Sequence, residues 1–314
     1  MRYAPTSHDR RRFLRLAAGL AASSLLSGCG GESASAADGT PAPTPAPAAS
    51  VPVAAPTLSD SAQGLNLALN LGYVGALYYG TAARGAGLAD SAITGVGTPG
   101  RGYGARQVSF TDATIARHAG EFADDKTAQV LALRTQLGAQ AAAQPAIDLS
   151  AAGAFTTAAQ RAGIVDAGAS FDPYVSDAAF LTGAFLIENR VAAAYRSLLR
   201  ADGDAASSSL IAANLADAIY HGGVIRSLLE DRAPSDPVAA AALAKVGTFL
   251  ATLDGSDVGD QSLEGASGPS VDIVDAEGHP IPFTRDSAQV LKTLYLTSSG
   301  VGGFLPGGAN GVHA

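Results

Sequence analysis

An all-α bundle is the fold class this sequence predicts, and three observations carry it. Apolar residues recur at helical spacing in long stretches between residues 61 and 253. Strands with period-two alternation are missing, and the gaps between the helical stretches run long, long and then short. A short gap makes antiparallel neighbours of the helices it joins, so the third and fourth helices form a hairpin.

The first helix is expected over about 61–81, with Leu65, Ala68, Leu69, Gly72, Gly75, Ala76 and Tyr79 on one face. A second follows a Thr111 or Asp112 cap over about 112–137, aligning Ala119, Phe122, Lys126, Gln129, Val130 and Leu133. The third, about 177–199, is entered through Phe171-Asp172-Pro173-Tyr174, and the fourth, about 205–229, is expected to turn Leu215, Ala218, Ile219, His221, Ile225 and Leu228 inward. An Ala-rich fifth helix, about 237–253, packs outside or beneath these four. In the tail, Val271–Val274 and Ile281–Phe283 flank a turn at Glu277-Gly278 and suggest an irregular hairpin. A short amphipathic helix over about 286–296 and a Gly-rich end complete it. The resulting division is a signal over 1–29, a linker over 30–58, a bundle over 59–254 and a tail over 255–314 that covers one end of the bundle.

The first residues are for targeting. Arg10-Arg11-Arg12-Phe13-Leu14 resembles a twin-arginine export signal, and Leu26-Ser27-Gly28-Cys29 looks like a bacterial lipobox, which predicts lipidation at Cys29. The alternative is an ordinary basic-headed signal peptide or an N-terminal anchor. Cys29 is the only cysteine, so no intrachain disulfide can form. Residues 30–58 carry six prolines, five of them in Ala-Pro or Thr-Pro steps, and read as an extended tether. Such a tether reaches on the order of 90 Å at ~3.1 Å per residue. The expected partners are therefore the export machinery and a membrane held through a lipid, with outer-membrane sorting favoured because Gly30 follows the cysteine.

Removing residues 1–28 takes away five arginines and one aspartate, leaving 15 basic and 27 acidic residues. That balance argues against nucleic acid, whose phosphates need clustered Lys and Arg. The lysines are Lys126, Lys245 and Lys292. Gly95-Val96-Gly97-Thr98-Pro99-Gly100 matches a nucleotide-loop spacing, but no strand precedes it and Pro99 stands where a helix should begin. It reads as a flexible loop. Nothing resembling a strand-borne serine nucleophile motif supports a hydrolase.

The chemistry centres on Glu188, in the apolar stretch 180–195. Its helical neighbours Leu181, Ala184, Phe185, Val191, Ala192 and Tyr195 put a carboxylate on the buried stripe. An unpaired carboxylate there costs several kcal/mol, roughly, so it needs a proton, a metal or a cation.

With these helices placed, the stretches Leu69-Asn70-Leu71-Gly72-Tyr73, Phe110-Thr111-Asp112, Pro145-Ala146-Ile147-Asp148-Leu149, Phe171-Asp172-Pro173-Tyr174, Gly183-Ala184-Phe185-Leu186-Ile187-Glu188 and Gly303-Phe304-Leu305-Pro306 stand in order between about Asp60 and Gly311. Through them the chain resembles an exported ferritin-like family that includes desiccation-related proteins of plants and bacteria. The resemblance implies a ferritin-like four-helix bundle with an additional helix and an irregular C-terminal tail. It also implies six ligand positions for two metal ions, one Glu on each of two helices and a Glu-x-x-His on each of the others. Mapped by motif, these fall on Gly72, Lys126, Gln129, Glu188, Ala218 and His221, so only Glu188 and His221 keep ligand chemistry.

One carboxylate and one imidazole do not offset the four positive charges of two ferrous ions, and a protonated Lys126 offers no lone pair. The register of the helices instead predicts that Lys126 takes the place of the metal charge and pairs with Glu188, with Gln129 and His221 completing the hydrogen bonds. The alternative is that Lys126 snorkels to solvent and Glu188 is neutral or bound to backbone. Asp217, one turn before His221, is placed to orient its ring, and His118 reads as a packing or surface residue. Gly72, Gly75, Ala76, Ala218, Gly222 and Gly223 leave volume that closer helices close, or that a small molecule lined by Tyr79, Tyr195 and Tyr220 fills. The expected function is a non-catalytic, membrane-tethered, stress-related envelope protein with no cofactor. The alternatives are an iron or manganese oxidoreductase using Glu188 and His221, and a small-ligand binding module.

Overall fold

The computed structural model describes residues 58–201, 204–256 and 284–312, all within the unit Thr57–Ala314. The signal, Cys29, the linker and the expected hairpin around 271–283 lie outside the described residues.

Two long helices set the frame. Helix α1, Asp60–Arg84, starts where the Ser59 side chain accepts from the Ala62 N–H and ends at Gly85 in a left-handed turn. Helix α2, Ala113–Leu137, starts on Asp112, whose carboxylate accepts from the Thr114 and Ile115 N–H groups. Strong helix formers line both, and their apolar stripes face each other antiparallel: a Cβ at Gly72 would lie 3.0 Å from Val130, and one at Gly75 would lie 3.1 Å from the Lys126 stem. Small residues on α1 therefore let α2 approach closely.

The two long connections are tied together by hydrogen bonds. Strand β1, Gly102–Tyr103, and strand β2, Ile147–Asp148, pair in parallel, Gly102 opposite Ile147. Before them Val96 N–H donates to Ala141 O and Ala143 N–H to Val96 O, each at 2.9 Å. Asn310 donates to Thr98 O at 2.8 Å. The glycine-rich stretch 95–100, expected to be a flexible loop, is thus pinned. Gly95, at a φ of 149°, is required there because any Cβ would run into the Ala141 carbonyl. A short helix α3, Thr156–Ala162, closes this second connection.

The expected third helix is two. Helix α4, Asp177–Glu188, stops at the carboxylate, and α5, Val191–Ala201, resumes after Asn189 and Arg190. The break has a physical cause in Arg190, which is 1% exposed. Its guanidinium turns back to the Leu186 carbonyl and reaches forward to Thr293 O at 2.7 Å. Those carbonyls satisfy a buried cation that a continuous helix would leave stranded.

Helix α6, Ala205–Glu230, forms the expected hairpin with α4 and α5, and α7, Pro237–Asp254, packs on α4. Helix α7 is apolar and long enough to cross a membrane, yet Ala239, Ala242, Leu243, Val246 and Leu250 are core residues. Helix α8, Ser287–Tyr295, carries a capping box from Asp286 to Gln289 and lies against α7. The tail beyond it returns to α1, where Asn70 donates to Asn310 O at 2.8 Å. Burial at the aromatic end is dense: the Tyr78 hydroxyl donates to Phe180 O at 2.8 Å, and Gly183 leaves room for it, since a Cβ would sit 2.5 Å from that oxygen.

Candidate functional site

At mid-bundle α2 faces the C-terminal end of α4. Lys126 Nζ lies 2.8 Å from Glu188 Oε1 and donates a hydrogen bond to Oε2 at 3.0 Å, with the side chains 2% and 1% exposed. The snorkelling alternative is excluded by that burial. The lysine stem runs along Gly75, so the missing side chain on α1 is the reason four methylenes fit between the helices.

Tyr79 and Tyr195 surround the pair. Burial first, and then the nearby Glu188 charge, raise both phenols above the ordinary value. An acid whose folded pKa is raised keeps its stabilising, protonated form until pH passes the unfolded value near 10 and loses it above. Helicity and the tyrosinate absorbance at 295 nm should therefore change together on alkaline titration, with these phenols ionising only as the domain unfolds. Free ionisation of all tyrosines with the helices intact would contradict their placement.

The remaining expected positions behave differently from the sequence expectation. Gln129 and His221 do not complete the bonding around Glu188. Gln129 Nε2 donates to Asp217 Oδ2 at 3.1 Å, and His221 Nε2 lies 3.1 Å from Asp125 Oδ2. Asp125, not Asp217, orients the imidazole. The reason is rotation: one residue before Lys126 is about 100° around the helix, which carries Asp125 from the α4 side of α2 to the α6 side. Signals for it were its spacing from Gln129 and the antiparallel run of polar residues facing it on α6. Glu121 continues that seam by accepting from the Tyr220 hydroxyl at 3.0 Å, so Tyr220 belongs to the seam. His118, 3.2 Å from Glu121, is the half-buried packing residue expected.

The donor set does not fit a dinuclear metal. Glu188 is held by an ammonium, His221 Nε2 is committed to Asp125, and its buried Nδ1 has no partner. Gly72 and Ala218 bring no donor atoms at all. Among the described residues no group of three or more His, Cys, Asp and Glu side chains is placed to hold an ion. Nor can the helix α1 carboxylate be restored freely: Gly72→Glu starts from a Cβ 3.0 Å from Val130. That variant should lose about 1–3 kcal/mol through overpacking and gain no iron, as denaturation and elemental measurement would check. A fully stable, iron-loaded Gly72→Glu protein would contradict this reading.

What the arrangement supplies is a fixed internal charge pair and an inter-helix polar seam. The glycines on α6 do not close onto α1, because Cβ atoms at Gly222 and Gly223 would meet nothing within 4 Å. A cavity of about 190 Å³ opens there, with Glu188, Ala218, Gly222 and Gly223 in its wall.

A family model for the ferritin-like domain matches residues 60–231, which run from α1 through α6 and include every residue of this site. No curated protein and no solved structure matches the chain. The helical bundle, its two long connections and the match across more than half its length place the chain in the ferritin-like domain family.

Proposed function

We propose that this is an exported ferritin-like protein of the desiccation-related type, tethered to a bacterial membrane through Cys29, in which a buried ion pair does the structural job of the metals. The observation that carries the reading is Lys126 against Glu188 at the ligand positions. An ammonium there neutralises the remaining carboxylate, occupies the space of an ion and repels cations, so the bundle stays closed without redox chemistry. Export and tethering rest on the Arg-Arg-x-Phe-Leu and Leu-Ser-Gly-Cys steps and the proline-rich stretch that follows. A role in the envelope under stress comes from the family resemblance.

The test is elemental measurement and a ferroxidase assay on the mature protein after anaerobic incubation with ferrous iron or manganese. Substoichiometric metal and no iron oxidation are expected. Stoichiometric iron or manganese bound tightly would overturn the reading in favour of an oxidoreductase built on Glu188 and His221. Tethering has its own measurement, since Cys29→Ser should release the protein from the membrane fraction and abolish a lipid-modified N-terminus in mass spectra.

A further inference from the structure

The inward face of α6 is partly polar. It runs through Asn214, Ala218, His221 and Ile225, each at most 3% exposed, whereas Ile219, expected on it, is 58% exposed. Two atoms of this face, Asn214 Nδ2 and His221 Nδ1, have no hydrogen-bond partner among the described residues, and neither do Gln129 Oε1 on α2 and Tyr195 Oη on α5. Buried polar groups are almost always paired, with protein or with ordered water.

The four residues share one layer of the bundle. Asn214 and His221 stand four residues before and three after Ala218, so all three follow one helix face. Gln129 reaches this layer from α2, its Nε2 donating to Asp217 Oδ2 at 3.1 Å. Tyr195 enters from α5: burial, and then the charges of Glu188 and Asp217, raise its phenol, which puts the hydroxyl near both carboxylates. Among these side chains Ala218 supplies only a methyl group.

Chemistry fixes what each atom offers. An ionised carboxylate only accepts, so Gln129 must turn its NH2 group to Asp217, and its carbonyl oxygen is left over as an acceptor. For the same reason the His221 proton sits on Nε2, which lies 3.1 Å from Asp125 Oδ2, and Nδ1 of the neutral ring accepts. Asn214 Nδ2 and the Tyr195 hydroxyl donate. A cation would meet those two donors, an anion would meet two acceptors with Asp217 and Glu188 close by, and an apolar group would leave all four atoms unpaired. Water has two protons to give and two lone pairs to offer, the complement of this set.

We propose that an internal water is bound in this layer beside the Ala218 methyl, donating to Gln129 and His221 and accepting from Tyr195 and Asn214. Three of these four bonds already match the usual number for a buried water. The water holds the imidazole in one tautomer and ties α5 to the seam between α2 and α6. The site rests on the metal-free reading, because an ion held by His221 would take Nδ1 in place of the water.

The experiment is a crystal structure of the mature protein at a resolution that shows single waters, with anomalous data at the iron and manganese edges. A peak within hydrogen-bond distance of at least three of the four atoms, without anomalous signal, is expected. In solution, relaxation dispersion of the water oxygen-17 signal measures how long such a water stays. Tyr195→Phe removes one hydroxyl from a ring that stays packed and should shorten that residence at least tenfold. Tyr220→Phe, whose hydroxyl donates to Glu121 instead, should leave it unchanged. A Tyr195 hydroxyl bonded directly to Glu188 or Asp217, with no water peak, would overturn the proposal and leave the metal-free reading standing. A metal peak at His221 would overturn both, and an unaltered residence time in Tyr195→Phe would overturn the water site alone.

Discussion

Lys126→Met should destabilise the domain by about 3–5 kcal/mol, the cost of leaving a buried carboxylate without its cation. The substitution preserves length and apolar stem, so packing against Gly75 changes little and the loss reports charge. The partner change, Glu188→Leu, strands the ammonium and should cost a similar amount. The double variant Lys126→Met/Glu188→Leu is expected to recover most of the stability, because exchanging a buried pair for apolar residues is often neutral or stabilising. Guanidinium denaturation of the four proteins closes the cycle. Additive losses in the double variant would show that the two side chains contribute independently, and would sink the pairing. The helix resumption at α5 supplies a second readout, since Arg190 also feels the Glu188 charge.

Asp254→Ala should produce a loss of the same order, about 3–5 kcal/mol, at a second buried ion pair. Asp254 and Arg285 have side chains 0% and 1% exposed and are joined by a direct ion pair. The pair links the last residue of α7 to the segment that leads into α8, and Arg285 N–H donates to Ala193 O at 3.3 Å. Removing the carboxylate leaves Arg285 near a second buried guanidinium, Arg190, whose pKa is pulled down by burial and then by Arg285. The local consequence should be detachment of α8 before global unfolding, seen as faster hydrogen exchange of the α8 amides than of those in α1. A variant that keeps native α8 protection and stability would mean α8 is held without this pair. Arg285→Met/Asp254→Leu should restore both properties, because it removes the repulsion on Arg190 together with the unpaired group.

Much of the bundle was legible in the order of residues because helices announce themselves locally. The face of Leu65, Leu69, Gly72 and Ala76, the Asp112 cap and the Pro237 start are short-range signals, and these three helices begin within a residue of their expected starts at about 61, 112 and 237. The pairing of Lys126 with Glu188 was legible as well. Both sit on apolar stripes, and burial in a medium of low dielectric leaves two opposite charges few choices. The break between α4 and α5 was not, because Glu188-Asn189-Arg190 contains no proline or glycine. It arises from carbonyls on Leu186 and on Thr293, the latter brought in from a hundred residues away.

The choice of partner for His221 shows the same division. On α6 alone, Asp217 is the natural neighbour one turn away. Across the interface Asp125 meets the imidazole at 3.1 Å, and Asp217 accepts from Gln129. Likewise the glycine-rich stretch 95–100 lacks any local structure of its own and gains it from residues 141–146 and Asn310. From its residues alone this chain declares an all-α bundle, a carboxylate in the core and a lysine able to reach it. The partners within the polar seam, the interrupted helix and the open wall beside Glu188 were decided in three dimensions. Periodicity specifies which face of a helix turns inward, but only the approach of another helix determines which atoms lie within 3 Å of it.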